Sequence, residues 1–140
     1  VNEPETKELD MPNENLTRRI LSVAGGAAAA LVLWTLTGPV AGHDLSAETG
    51  GAVREVGAFA VLAGALAAGL AAWALLALLE RTVSRPGRVW TITAAAVLAL
   101  SMPGPLGGAA DTASMAVLAA MHLAVAAVLI PCLGLSARRR

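Results

Sequence analysis

Residues 112–137 read TASMAVLAAMHLAVAAVLIPCLGLSA, a run without Asp, Glu, Lys or Arg that ends against Arg138-Arg139-Arg140. A helix rises about 1.5 Å per residue, so about 20 apolar residues cross a hydrocarbon core about 30 Å thick. Apolar residues fall on every side of a helix built from this run, so no face of it suits water. Lipid satisfies no backbone N–H or C=O, so such a run crosses as an α-helix.

The same pattern repeats towards the amino terminus. Charge is absent from Ile20 to Gly42, from Val56 to Leu79 and from Val89 to Ala110. The spacing predicts an all-α integral membrane bundle of four transmembrane helices, at about 20–41, 56–79, 87–106 and 112–135. A transmembrane barrel needs alternating segments of about ten residues, which this sequence lacks. Composition agrees. Of 140 residues, 56% are apolar and 14% charged, with a mean hydropathy of +0.68, whereas a soluble domain carries about 25% charged residues. A formal net charge of zero and 3% aromatics argue against a nucleic-acid partner. One Cys excludes an internal disulfide framework and a Cys-based zinc site.

Residues 1–19 hold five acids, three bases and two prolines, and read as a disordered polar cytoplasmic tail. Residues 20–137 form one four-helix domain, and 138–140 a basic cytoplasmic end. Residue 1 is Val; an alternative start codon or an artefact at the start accounts for it, Met11 is the other candidate start, and the expected fold does not depend on the choice. The first span is too long for the apolar part of a cleaved signal, which runs about 7–15 residues.

The third span is the shortest before a break. Pro103 and Pro105 lie in Met102-Pro-Gly-Pro-Leu-Gly-Gly108, and proline removes a donor and clashes with the preceding turn. The helix is expected to end or distort there. The favoured expectation is an outer turn; the alternative is backbone dipping into the membrane, which only protein or water can cover. Ser84 is the expected cap at the other end, with Pro86 in the first turn. Asp111 reads as the N-cap of the last span, and Pro131 should weaken or kink its end.

Orientation follows the Lys/Arg bias of short loops. Lys7, Arg18 and Arg19 precede the first span; Arg81, Arg85 and Arg88 sit between the second and third; Arg138, Arg139 and Arg140 follow the fourth. Arg54 alone lies on the opposite side. Both termini and the 80–88 turn are therefore expected in the cytoplasm, with the loops near 42–55 and 107–111 facing out.

Between helices in lipid, small residues let backbones approach. Ala60, Gly64, Ala68 and Ala72 make such a ridge, and the first span carries Gly25-Gly26 and Ala27–Ala30. Tight packing of this kind leaves little room for a large cavity. Trp90 suits an interfacial anchor. Trp34 and Trp73 are expected to pack inside with N–H groups bonded to backbone carbonyls.

His122 is the strongly ionisable side chain deepest in a span. An intramembrane ionisable group is a functional hypothesis by default. It shares a helix face with Ala119 and Ala126 and is expected to point into the bundle. Proton relay, metal or haem ligation and substrate contact each need partners, and no Asp or Glu lies within a span. His43 is about half a bilayer away, which argues against a bis-histidine haem. The favoured expectation is a neutral imidazole bonded to Ser101, Thr35 or a carbonyl, locking helices together. Ser101, the 103–108 break and His122 form the best polar constellation available. His43-Asp44 offers too few ligands for a metal, and Cys132 reads as an inert thiol. Nucleophile elbows, phosphate-binding loops, dinucleotide fingerprints and HExxH are absent. No catalytic residue, metal or cofactor is expected.

The stretches Leu98-Ala-Leu-Ser-Met-Pro-Gly-Pro-Leu106 and Ala120-Met-His-Leu-Ala-Val-Ala-Ala-Val-Leu-Ile-Pro131, with Trp73-Ala-Leu-Leu-Ala-Leu-Leu-Glu-Arg81, resemble small actinobacterial membrane proteins grouped as domain-of-unknown-function family number 6069. The resemblance covers about residues 18–135. It implies four spans, an inner-membrane location and a high-GC source, and makes His122 and Pro131 part of the family pattern. It implies no activity. The expected role is a non-enzymatic structural or accessory component whose partners are the lipid bilayer and itself or another membrane protein. The alternative is a small transporter or channel component using His122 and the 103–108 break.

Overall fold

The computed structural model describes residues 3–137, with side chains from residue 14. Helix α1 (Glu3–Thr35) passes into a single π-helical turn, Leu36–Val40. A hairpin of β1 (Ser46–Thr49) and β2 (Ala52–Glu55) follows, then α2 (Ala58–Thr82), α3 (Pro86–Ser101), α4 (Pro103–Gly108) and α5 (Thr112–Ser136). Four helical segments are long and apolar enough to cross a membrane: Glu14–Val40, Ala58–Thr82, Pro86–Gly108 and Thr112–Ser136. The expected all-α four-helix architecture stands. Phe59, Leu100 and Leu135 are each more than 80% exposed, an outer surface suited to lipid rather than water.

The segment expected as a disordered tail, 1–19, differs: α1 begins at Glu3. Once residues 19–30 are docked, each further residue fixed in helix adds a hydrogen bond, so the helix propagates backwards. The last residue of that segment, Arg19, is buried. The basic end 138–140 lies outside the described residues.

Pro39 explains the π turn. It cannot donate, and its ring crowds the carbonyl one turn back, which a wider turn relieves. The polar segment that follows is not a plain loop. Ser46 pairs with Glu55 and Thr49 with Ala52. The two-residue turn is Gly50-Gly51, with φ of 63° and 80°, both in the region a type I′ hairpin turn demands of its central residues. Leu45 is buried beneath the hairpin, and Ala47 bridges to Ala109. The hairpin thus closes one end of the bundle.

Met102-Pro-Gly-Pro-Leu-Gly-Gly108 corrects both expectations for it. It is neither an outer turn nor non-helical backbone, because helix resumes after Met102. Pro103 stands at the start of α4, where its missing donor is not needed. Met102 N–H donates to the Leu98 and Ala99 carbonyls, and Leu106 N–H to the Met102 carbonyl at 3.2 Å. Ser84 does not cap α3. Its N-cap is Arg85, with no side-chain cap bond, and Pro86 sits in the first turn as expected. Pro131 lies within α5, which continues through it to Ser136.

The helices pack in the order α2, α1, α5, α3. Helix α1 lies against both α5 and α2, and α3 against α5. Helices α1 and α2 approach closely at Gly69, where an added Cβ would lie 2.8 Å from Val23 Cγ1. Gly25 and Gly26 meet Val128 and Leu129 of α5, and Ala27 and Ala30 are buried with Ala65. At the end that holds Arg19, the 83–85 turn and Ser136, the core is Leu76, Trp90, Leu129 and Leu133. Trp90 is therefore not an interfacial anchor. It is 2% exposed and donates through Nε1 to the Ile130 carbonyl of α5 at 3.0 Å. With a carbonyl in reach, an indole buries its ring and keeps its N–H bonded.

Candidate functional site: a lateral cleft between helices two and three

The arc of four helices closes at one end, where α2 and α3 share the Leu76–Trp90 core, and stays open beyond it. Between α2 and α3 lies a cleft of 630 Å³, floored by α5, within the about 300–1,000 Å³ usual for small-molecule sites. The expectation that tightly packed Ala-rich helices leave little room for a large cavity does not hold here, and the reason is which face of α2 is used. Ala65, Gly69 and Leu76 are buried. The ridge Ala60, Gly64, Ala68 and Ala72 faces the cleft instead, and a Cβ on Gly64 would meet nothing within 4 Å. Small residues permit contact without supplying the bulk that fills a gap.

The cleft is apolar except at one place. Ser101 of α3 and His122 of α5 both line it. His122 is exposed to this space rather than enclosed. Its Nδ1 lies 3.1 Å from the Leu118 carbonyl of its own helix. A carbonyl oxygen only accepts, so this bond needs the hydrogen on Nδ1, and an imidazole with its single hydrogen there has Nε2 as an acceptor. The Ser101 hydroxyl donates to Leu98 O at 2.8 Å, also within its own helix. His122 therefore does not lock helices together. Thr35 likewise bonds its own helix, at Leu31 O.

A second, smaller cavity of 280 Å³ lies under the hairpin, lined by Ala47, Glu48, Gly104, Pro105 and Gly108. It shares Ser101, Leu118 and His122 with the cleft. The sequence-derived constellation of Ser101, the 103–108 segment and His122 is thus brought together. Helix α4, rather than free carbonyls, supplies the third element.

Two polar clusters hold the ends of this frame; sequence reasoning found the Asp111 cap and missed the rest. At one end, Arg19 of α1 is ion-paired with Glu80 of α2 and also donates to the Ser136 carbonyl of α5 at 3.1 Å. One side chain ties three helices. Arg18, Arg81, Arg85 and Arg88 remain exposed around it. At the other end, Asp111 caps α5 as expected, accepting from Ser114 N–H at 2.8 Å. The Ser114 hydroxyl donates to the same carboxylate at 2.8 Å and accepts from the Ser46 amide at 3.2 Å, pinning the hairpin to α5. The Ser114 backbone and hydroxyl bonds, with smaller contributions from the Ala113 amide and the Ser46 hydroxyl, hold the Asp111 carboxyl below its ordinary value. The Gly50-Gly51 turn and the Asp111-x-x-Ser114 spacing were the available signals for this end.

Trp34 meets its expectation, donating to Val56 O at 2.7 Å; Trp73 is half-buried. Cys132 is a free, exposed thiol. Among the described residues, no three His, Cys, Asp or Glu side chains gather to hold a metal ion.

A family model described as a family of unknown function, DUF6069, matches residues 11–139. No curated protein and no solved structure matches the chain.

Proposed function

Taking as premise that the chain belongs to the DUF6069 family of unknown function, we propose that it is a non-enzymatic accessory protein of a membrane whose lateral cleft holds a lipophilic molecule. One observation carries this: the His122 and Ser101 acceptors face a 630 Å³ space that the protein itself does not fill. A bare acceptor against hydrocarbon costs about 1–3 kcal/mol, so an occupant that satisfies it is favoured over plain acyl chain. Size supports a small occupant, because a transmembrane helix is about 10 Å across with its side chains and overfills this volume along its length.

The location we propose is the cytoplasmic membrane of an actinobacterium, with both termini inside. Arg18, Arg81, Arg85 and Arg88, clustered with Arg19 at one end, support that sidedness under the positive-inside rule. Reporter fusions at Glu48 and Arg85 are expected on opposite sides of the membrane; the same side for both contradicts the orientation.

The cleft itself is tested by native mass spectrometry from mild detergent. The wild-type chain is expected to retain one lipophilic adduct, and Gly64→Phe, which projects into the open space, to lose it. Equal adducts on both, or none on either, contradict the proposal.

A small transporter component is the second role favoured by an observation. The hairpin-side cavity and the cleft meet at Ser101, Leu118 and His122, which would give a ligand two ways in. Loss of a transport phenotype in a folded His122→Ala variant is the expected mark of that role; full retention removes it.

A further inference from the structure

Resting on the cleft being a binding site, we infer that its ligand is a single-chain, long-chain alcohol. The hydrogen bonds decide the chemistry. Ser101 gives its hydroxyl hydrogen to Leu98 O, and His122 gives its Nδ1 hydrogen to Leu118 O. What these two lining residues leave unused is the Ser101 oxygen and His122 Nε2, both acceptors. The polar end of the site therefore calls for a donor. A ketone, an ester or an ether brings only acceptors and leaves both groups unsatisfied. A hydroxyl donates to one of them and adds no charge to the membrane interior.

Depth decides the rest of the molecule. His122 lies ten residues beyond Thr112, about 15 Å into α5 by helix rise, near the middle of the span Thr112–Ser136. A lipid whose head is anchored at the interface cannot bring a hydroxyl there, whereas an alcohol dissolved wholly in the bilayer can. From Ser101 to Trp90 the α3 wall runs for about 16 Å, lined by Leu98, Val97 and Ala94. That is a channel for one extended chain. The opposing α2 wall is mostly Ala and Gly, with Val61 and Leu75 towards its ends, which leaves room for the chain and brings no competing polar group.

The test uses the full chain in nanodiscs with a pyrene-labelled long-chain alcohol, read by energy transfer from tryptophan. Competitors are 1-hexadecanol, methyl hexadecyl ether and a diacylglycerol. On the wild type, hexadecanol is expected to displace the probe about tenfold better than the ether, the factor that one hydrogen bond of about 1.4 kcal/mol gives. The diacylglycerol is expected to compete no better than the ether. In Ser101→Ala and in His122→Phe the preference for alcohol over ether should shrink while the probe still binds. Equal displacement by alcohol and ether on the wild type overturns the inference and leaves the cleft as a site for apolar molecules. Displacement by diacylglycerol as strong as by hexadecanol overturns the depth argument, and with it the single-chain ligand. No energy transfer to the probe at all overturns the cleft as a binding site.

Discussion

The two halves of this bundle are built from similar residues and end differently. Near Arg19 and Ser136 the helices are sealed: Leu76 and Leu133 are fully buried, Trp90 nearly so, and one guanidinium bridges α1, α2 and α5. Towards the hairpin, α2 presents Ala60, Gly64 and Ala68 to an open cleft. Both halves are rich in Ala and Gly. The sealed half also has large knobs that reach across, and the open half does not. Small residues set how near two helices can come; large ones decide whether the space between them is filled.

The sharpest way to break this contrast is to remove the ionic clasp. Glu80→Ala leaves the Arg19 charge buried without its partner, which costs about 3–5 kcal/mol. We expect the largest fall in unfolding midpoint from this variant, measured in nanodiscs or mild detergent. A midpoint within a degree of wild type would mean that the clasp does not hold the sealed half together.

The glycines of α2 give the most direct comparison. Gly69→Ala drives a Cβ to 2.8 Å from Val23 Cγ1, and a β-branched neighbour cannot swing away. A loss of about 1–3 kcal/mol is expected, as for other overpacked sites. Gly64→Ala, five residues away, meets open space and should fall within about 0.5 kcal/mol of wild type. Equal effects at the two positions would erase the distinction between the faces.

Trp90→Phe tests the seam of α3 with α5 at smaller amplitude. It removes the Nε1 bond to Ile130 O, for a loss of about 1 kcal/mol. No change in stability would place the ring outside the core.

The smallest effect expected is at the hairpin end. The Asp111 carboxyl is held below its ordinary value by Ser114 and is fully accessible. Its contribution is complete above the carboxyl's unfolded value and is lost as pH falls through the lower folded one. Asp111→Asn keeps a capping oxygen but should flatten that acid limb of the stability curve. An unchanged acid limb would mean that the cap is not the titrating group.

Much of the fold could be read from charge spacing. The uncharged runs before Gly42, Leu79 and Ala110, and the one that follows Asp111, mark the four helices because a charge inside hydrocarbon is costly. The cap at Asp111 was legible because its signal is local. What was not legible depends on partners distant in sequence. Arg19 reads as one more topology charge until Glu80, 61 positions away, is brought beside it. The Ala60–Ala72 ridge and the Ala65–Gly69 face are equally small, and only the placement of α1 chooses between them. Trp90 suits an interface by position and a core by its neighbour Ile130. His122 was found from its chemistry, but the way it faces follows from α2 and α3 meeting only around Leu76 and Trp90 and leaving a cleft beyond, which no local pattern encodes. The 103–108 segment misled because proline breaks a helix and also starts one.

The openness of the cleft is tested most directly by oxygen accessibility at single spin labels in nanodiscs, in a Cys132→Ser background. A label at Gly64 should relax with oxygen as a label at lipid-facing Leu100 does, and far more than one at Ala27, which is buried and lies outside the cleft lining. A Gly64 label as protected as the Ala27 label would mean that helix fills the gap between α2 and α3, and would contradict the cleft on which the proposed function rests.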